Sequence, residues 1–266
     1  VCVAPDHFCP ANVNQHVCVI RGDGTFDPDY LCLYFSSPHF QKFVWDSQAG
    51  ATRQALTKGL IENLKIPLVG LPEQQRTAAR LREQLAEVES ARKAVEEQLM
   101  AADGLVESLL RQSLSSFDER PLSECLREVT AGVGDEWAKY PVLGATRGGV
   151  APAKEPVGKN PHRYKPVVPG TIFYNPMRIL LGSIAMIDDG DESGITSPDY
   201  VVMTGVERVL HPRWFYYWFR SKDGAEFIKS LSRGAVRERL LFKRLAPASI
   251  RMPNWQAQET FAARLI

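Results

Sequence analysis

Apolar residues recur at alternating steps of four and three positions across residues 72–115, a segment otherwise rich in Glu, Gln, Arg and Ala. The seam positions are Leu81, Leu85, Val88, Arg92, Val95, Leu99, Ala102, Val106 and Leu109. This heptad spacing predicts one long helix, and Pro72 followed by Glu73 is typical of a helix start. At about 1.5 Å per residue the helix would be about 65 Å long. We expect a second helix to cover its apolar stripe.

The segment before this helix has short apolar runs of mixed pattern. Residues 1–3 and 16–20 are rich in Val, Ile and Cys, which favours β-strands. The aromatic stretch from Tyr30 to Trp45 predicts a helix, because its large apolar residues recur at helical spacing.

The segment after the long helix returns to a mixed pattern. Gly and Pro are frequent between residues 132 and 198, which indicates many turns between short strands. A strand is predicted at 201–203, and an aromatic helix from Trp214 to Ser230. A further helix is predicted to begin at Trp255.

The chain also contains an internal repeat, because residues 28–81 align with residues 212–265 at a constant offset without a gap. The identical pairs include Pro28/Pro212, Phe35/Phe219, Ser37/Ser221, Phe43/Phe227, Gly50/Gly234, Ala51/Ala235, Arg53/Arg237, Leu56/Leu240, Ile66/Ile250, Gln74/Gln258 and the four pairs from Ala78/Ala262 to Leu81/Leu265. The repeat predicts the order domain, helix, domain, helix. Residues 121–184 have no counterpart in the first copy. We therefore expect this sequence to be a fragment that lacks the start of its first domain and most of its last helix.

Composition narrows the class of protein without naming a partner. The 266 residues are 44% hydrophobic and 24% charged with a net charge of +1, which is typical of a globular protein. The apolar runs are too short to span a bilayer, and we expect a cytoplasmic protein. The five cysteines predict ordinary reduced thiols, and the Cys2–His7–Cys9 spacing fits no common zinc site.

The stretch that precedes the long helix carries the most specific motif. It contains Gly50 in the small-residue run Ala49-Gly50-Ala51-Thr52, then Ile66-Pro67-Leu68, then Leu71-Pro72-Glu73-Gln74-Gln75. With the repeated domain and helix order, this motif resembles the DNA-specificity subunits of type I restriction-modification systems. The second copy keeps the Gly-Ala-Val-Arg run at 234–237 and the Ile-Arg-Met-Pro run at 250–253. It lacks the Leu-Pro pair and has Gln258-Glu259 in place of Glu-Gln.

The resemblance implies an α+β fold in which two mixed α/β target-recognition domains are joined by a long coiled-coil helix. Residues 1–71 would be the C-terminal half of the first domain, 72–115 the helix, 116–254 the second domain, and 255–266 the start of a second, antiparallel helix. The family's subunit is non-catalytic and has no cofactor of its own. It reads a bipartite target in double-stranded DNA and binds modification (methyltransferase) subunits and restriction subunits.

Two segments of the second domain have an excess of positive charge, residues 147–178 and 233–251. Such basic loops with Asn and aromatic neighbours suit phosphate contacts and readout of base edges, although solvated surface charges would give the same composition. The candidate DNA-binding residues are Arg147, Lys154, Lys159, Arg163, Lys165, Asn175, Arg178, Arg53, Gln54, Arg233 and Arg237. Arg53 and Arg237 share a repeat position, where a phosphate contact and a packing or capping role are both open. Arg92 interrupts the seam, either by snorkelling or as a partner-binding residue.

Enzyme motifs are weak in this sequence. The run Tyr174-Asn175-Pro176-Met177 is faintly similar to the Asn-Pro-Pro-aromatic loop of adenine methyltransferases, but it lacks the second proline and the aromatic residue. The acidic run 188–192 predicts a solvated loop. Two other hypotheses remain: a coiled-coil scaffold that binds only protein, and the recognition part of a fused restriction-methylation enzyme. We also expect this fragment alone to bind DNA weakly.

Overall fold

The computed structural model describes residues 1–5, 7, 10–14, 17–47, 58–232 and 239–265. The chain forms two compact units, residues 1–98 and residues 99–266. Helices and short strands are mixed in it, which confirms the predicted α+β class. None of the described helices has both the length and the hydropathy needed to cross a membrane.

The secondary-structure elements in the described part of the first unit are helices. Its helices are α1 (Pro28–Ser36), α2 (Pro38–Ser47), α3 (Lys58–Glu62) and the first part of α4 (Leu71–Ser113). The single helix predicted from Tyr30 to Trp45 is two helices, because Pro38 does not favour helical geometry at Ser37 before it. Asp27 caps α1 by accepting hydrogen bonds from the backbone N–H groups of Asp29 and Tyr30, both at 3.0 Å.

The two strands predicted in this unit are not present in the described residues, and residues 66–68 do not form a strand either. Residues 1–3, 17–20 and 66–68 have extended or irregular backbone without ladder pairing, and His16 lies outside the described residues. The side chains of Val17, Val19 and Ile20 are about half exposed. A strand is stable only when a neighbour pairs with its backbone, and β-propensity alone does not supply that neighbour.

The predicted long helix is present as α4, which runs from Leu71 to Ser113. Its seam has two environments. Leu85, Val88 and Val95 are more than half exposed, whereas Val106 and Leu109 pack against the core of the second unit. The expectation that a second helix covers the whole seam therefore stays a prediction for residues 81–99.

The second unit is built on a four-stranded antiparallel sheet with the order β2-β9-β6-β7. Its strands are β1 (Phe117–Pro121), β2 (Leu126–Glu128), β3 (Leu143–Thr146), β4 (Gly149–Pro152), β5 (Lys165–Val167), β6 (Thr171–Tyr174), β7 (Ile184–Met186), β8 (Gly194–Thr196), β9 (Val201–Gly205) and β10 (Ser249–Pro253). The pairs β1–β10, β3–β4 and β5–β8 form separate two-stranded ladders, all antiparallel. The strand predicted at 201–203 is confirmed as β9.

In the described part of this unit, five helices occur besides the end of α4. They are α5 (Leu122–Cys125), α6 (Pro212–Arg220), α7 (Lys222–Ser232), α8 (Phe242–Leu245) and α9 (Trp255–Ala263), with short 3-10 turns at Gly134–Lys139, Pro161–Arg163 and Ile179–Leu181. The helix predicted from Trp214 to Ser230 breaks at Ser221, the repeat partner of Ser37. The helix predicted from Trp255 is confirmed as α9.

The aromatic residues of α6 form the centre of the core. Trp214, Phe215 and Phe219 are fully buried, and the indole N–H of Trp214 donates to Ser113 Oγ at 3.0 Å. Gly224 permits close packing of α7 on α6, since a Cβ there would lie 2.2 Å from the carbonyl oxygen of Trp218.

The repeat is visible as the same hydrogen-bond pattern within each unit. Gln74 is fully buried, accepts from the N–H of Asp27 at 2.8 Å and donates to the carbonyls of Thr25 and Val69 at 3.1 and 2.8 Å.

Gln258 is equally buried and makes the same three bonds at the shifted positions. It accepts from His211 N–H at 2.8 Å and donates to the carbonyls of Val209 and Pro253 at 3.0 and 2.8 Å. In each copy a glutamine near the start of a helix, α4 or α9, thus joins the segment that precedes its own helix to the loop before an earlier helix, α1 or α6.

Candidate nucleic-acid interface

A cleft of about 590 Å³ opens on the second unit, between the β3–β4 hairpin, the segment after β4, the turn after β6 and residues 239–241. Among the described residues four basic ones line it, namely Arg147, Lys154, Arg178 and Arg239. Two acidic residues, Glu155 and Asp199, also line it, so the described lining residues carry a net positive charge. Segments that are far apart in the sequence therefore converge on one basic cleft.

Arg147 lies at the exposed tip of the β3–β4 hairpin. The turn is braced by Thr146, whose Oγ1 donates to the carbonyl of Gly149 at 3.0 Å and accepts from the N–H of Gly148 at 3.2 Å. Gly149 has a φ of +107°, a conformation that favours glycine. The short turn leaves the Arg147 side chain beside the cleft.

Asn175 and Arg178 are presented by the turn that follows β6. The Oδ1 of Asn175 accepts from the N–H of Met177 at 3.0 Å, and the N–H of Arg178 donates to the Asn175 carbonyl at 3.0 Å. Within the described part of the chain the Asn175 amide nitrogen has no hydrogen-bond partner. Arg178 is exposed at the rim.

Three further predicted residues do not line the cleft. Lys159 and Arg163 are exposed outside it, Arg163 on the 3-10 turn Pro161–Arg163. Lys165 Nζ donates to the carbonyl of Tyr200 at 2.7 Å, and burial lowers the pKa of this amine. This hydrogen bond gives Lys165 a structural role, because it attaches the side chain to the backbone of Tyr200, which lines the cleft.

Of the remaining predicted residues, the structure describes only Arg92. Arg53, Gln54, Arg233 and Arg237 lie outside the described residues. Arg92 is exposed on α4, where its guanidinium lies 3.2 Å from Glu96 and 3.9 Å from Glu89. Exposed pairs of this kind contribute little to stability, so Arg92 remains available to a partner.

The cleft also includes residues that the sequence did not single out. Arg239 was counted in a basic segment but not chosen as a contact, and no sequence signal marked Tyr164 or Tyr200. The hydroxyl of the buried Tyr164 accepts from the N–H of Gly158 at 3.0 Å. This bond anchors the loop after Lys154 at the side of the cleft.

The acidic run 188–192 is more than the solvated loop that its composition predicts. Asp188 accepts from Nε and Nη2 of Arg213 at distances down to 2.5 Å, and Arg213 is buried. Burial raises the pKa of Asp188, but hydrogen bonds from Arg213 and from the Asp189 N–H outweigh this and lower it. No cluster of metal-ligating side chains occurs among the residues that the structure describes.

Comparison with known proteins identifies the same family as the motifs. The family model for the type I restriction modification DNA specificity domain matches residues 3–97. A search of curated proteins finds no match.

Two solved structures share the fold at low identity. The type I S subunit from M. genitalium is 16% identical with a TM-score of 0.57, over 90% of this chain and 65% of that one. A chain from a structure on complex assembly and conformational transition of the type I R-M system is 16% identical with a TM-score of 0.50, over 91% of this chain and 63% of that one. This chain therefore spans just under two thirds of the length of either structure.

The fold is an α+β fold with two compact units and a long helix. The predicted resemblance to the DNA-specificity subunits of type I restriction-modification systems is confirmed by the family model and by these structures. The matching family model is that of a DNA specificity domain, in agreement with the prediction that this chain is a non-catalytic subunit.

Proposed function

We propose that this chain recognises double-stranded DNA as the specificity subunit of a type I restriction-modification system, and that residues 99–266 read one half of a bipartite target. The basic cleft carries this proposal, because it brings Arg147, Lys154, Arg178 and Arg239 together from four separate segments. A surface that gathers cations in this way attracts a polyanion.

The cleft offers both kinds of contact that sequence-specific binding needs. The exposed guanidinium and ammonium groups supply charge for phosphates, which positions the duplex and gives most of the affinity. The amide N–H groups of Asn175 can donate to acceptors on base edges, and the arginines can pair with guanine. The acidic Glu155 and Asp199 can accept from cytosine or adenine amino groups.

The exposed part of the α4 seam supports a protein partner. Leu85, Val88, Val95 and Leu99 are all more than half exposed on one helix stripe, and an apolar stripe of this length is unfavourable in water. We propose that modification subunits dock on this helix, with Arg92 on the same surface, and that restriction subunits join through them in the cytoplasm.

A purely protein-binding scaffold is the second candidate, and the same exposed seam favours it. The two functions differ in the use of the cleft, because a scaffold has no need for convergent cations. Binding to DNA therefore separates them.

The test is a selection of bound duplexes from a random pool by this chain together with its cognate modification subunits, followed by sequencing. A bipartite motif is expected. If no motif is enriched although the complex assembles, the chain is a scaffold and the proposal is wrong.

A matched pair of lysines locates the DNA site. Lys154 lines the cleft, and Lys159 lies five positions further on, also exposed but outside it. Lys154→Ala should weaken binding and lower the salt slope by about one, as expected for one lost phosphate contact. Lys159→Ala should change neither. Equal effects of the two substitutions would place the DNA elsewhere.

A further inference from the structure

Arg220, at the end of α6, connects the cleft hairpin to the sheet and to its own helix. Its Nη2 donates to the carbonyl oxygen of Arg147 at 2.6 Å. Its Nη1 donates to the carbonyl of Ile184 in β7 at 2.9 Å and to the hydroxyl of Tyr216 at 2.6 Å. One planar guanidinium thus joins three elements, a geometry that suits the fixed fork of arginine and not the single ammonium of lysine.

The contact at Arg147 is to the backbone, so it positions the residue without occupying its side chain. The carbonyl of Arg147 is held from the helix side, while Thr146 braces the turn from within the hairpin. The Arg147 side chain remains exposed and lines the cleft. Arg220 itself does not line the cleft.

The packing under the hairpin is tight at the same point. A Cβ on Gly149 would lie 3.3 Å from the Tyr216 hydroxyl and 3.9 Å from Nη1 of Arg220. The guanidinium carbon of Arg220 also lies 5.0 Å from the centre of the Tyr216 ring, within the range of a cation–π contact. The guanidinium of Arg220 is therefore fixed by Tyr216 and by the Ile184 carbonyl, in addition to its bond to the hairpin.

The repeat shows that this arrangement belongs to the second copy alone. The repeat partners of Tyr216 and Arg220 are Cys32 and Ser36, whose side chains are too short to reproduce it. Phe35 and Phe219, next to these positions, are buried in both copies. The packing residues are shared, whereas the residues that support the hairpin differ.

We infer that Arg220 is a positioning residue for DNA recognition: it holds the β3–β4 turn so that Arg147 points along the cleft, and it does not touch the DNA. This inference rests on the proposed function. It adds a residue outside the basic cleft that determines how well one of the cleft's cations engages the duplex.

The test is a double-mutant cycle on DNA affinity, measured by fluorescence anisotropy with a labelled random-sequence duplex at low salt. Arg220→Met and Arg220→Lys should each weaken binding by about fivefold, and each should lower the salt slope by about one, as Arg147→Ala does. In the Arg147→Ala background, both Arg220 substitutions should leave affinity and slope unchanged, because the group that they position is gone.

Two results would overturn the inference. If Arg220→Lys keeps wild-type affinity, the positive charge of residue 220 is sufficient and the planar guanidinium is not required. If Arg220→Met weakens the Arg147→Ala variant by the same factor as the wild type, Arg220 acts independently of Arg147. If circular dichroism shows that the Arg220 variants do not fold, Thr146→Val replaces them, because it loosens the same turn. If Thr146→Val weakens binding by the same factor in the Arg147→Ala background as in the wild type, the inference is overturned as well.

Failure of the inference can be told apart from failure of the proposed function. Arg178→Ala removes a cleft cation that Arg220 does not contact. If Arg178→Ala weakens binding and Arg147→Ala does not, the inference is wrong and the proposed function stands. If neither substitution weakens binding, the cleft does not bind DNA.

Discussion

Replacing Gln258 with leucine tests whether the repeated glutamine maintains the fold of the second unit. Leucine has a similar volume but cannot accept from the His211 N–H or donate to the carbonyls of Val209 and Pro253. All three backbone groups would lose their glutamine partner at a site with no solvent exposure.

The expected cost follows from these three groups. A buried backbone group that loses its partner costs about 1–3 kcal/mol. Taking the lower end for each group, because loop backbone can relax, Gln258→Leu should destabilise the unit by about 3 kcal/mol. For a unit of this size each kcal/mol lowers Tm by about 2–4 °C, so the expected shift is about 6–12 °C.

Thermal unfolding followed by circular dichroism measures the effect, and Gln256→Leu is the matched control. Gln256 is an exposed residue of the same helix, two positions earlier, and its substitution should shift Tm by no more than about 2 °C. In the first unit Gln74→Leu and the exposed Gln75→Leu form the same pair. A Tm shift equal to that of the control would refute the reasoning.

Three further predictions concern the ends of α1 and α6. Burial first, and then Arg213, lowers the pKa of His211, while Glu259, Asp189 and Asp188 act in the opposite direction. Its folded pKa is therefore below the ordinary value near 6.5, so stability should fall as pH drops below about 6.5, where the unfolded state takes up the proton more readily. Urea unfolding at pH 5.5 and 7.5 should show a smaller difference in His211→Asn; an unchanged difference contradicts the assignment. Asp188→Asn should cost about 2–3 kcal/mol by urea unfolding because it leaves Arg213 buried without its main partner, whereas Asp189→Asn, whose side chain is 87% exposed, should cost under about 0.5 kcal/mol. Asp27→Ala should cost about 1 kcal/mol by the same measurement through loss of the α1 cap, and no change would show that the cap is dispensable.

Local patterns predict the helices well and the weaker strands poorly. The heptad spacing placed α4 to within two residues, because a helix satisfies its backbone internally. Ile66 and Ile250 share a repeat position and a similar neighbourhood, yet only Ile250 lies in a strand. The difference is β1, which pairs with β10 and has no counterpart beside residues 66–68 in the described part of the chain.

The residues of the candidate site were also predicted only in part from the sequence. Charge and residue type predicted Arg147, Lys154, Asn175 and Arg178, all of which line the cleft. They also predicted Lys165, whose amine is bonded to the Tyr200 carbonyl, and they did not select Arg239 as a contact. Composition reports which groups are charged but carries no information on the direction in which a fold turns each side chain.

The sequence by itself determined the family resemblance, the repeat and the long helix, because these depend on residue identity and short-range spacing. Tertiary structure alone decided which cations share a cleft, that Asp188 pairs with the buried Arg213, and that Gln74 and Gln258 make the same three bonds in their own units. The physical reason is distance along the chain: the Asp188–Arg213 pair and two of the three bonds of each glutamine join residues that lie 25 to 49 positions apart. No local pattern specifies such a contact, since its partners are selected by the packing of the elements between them.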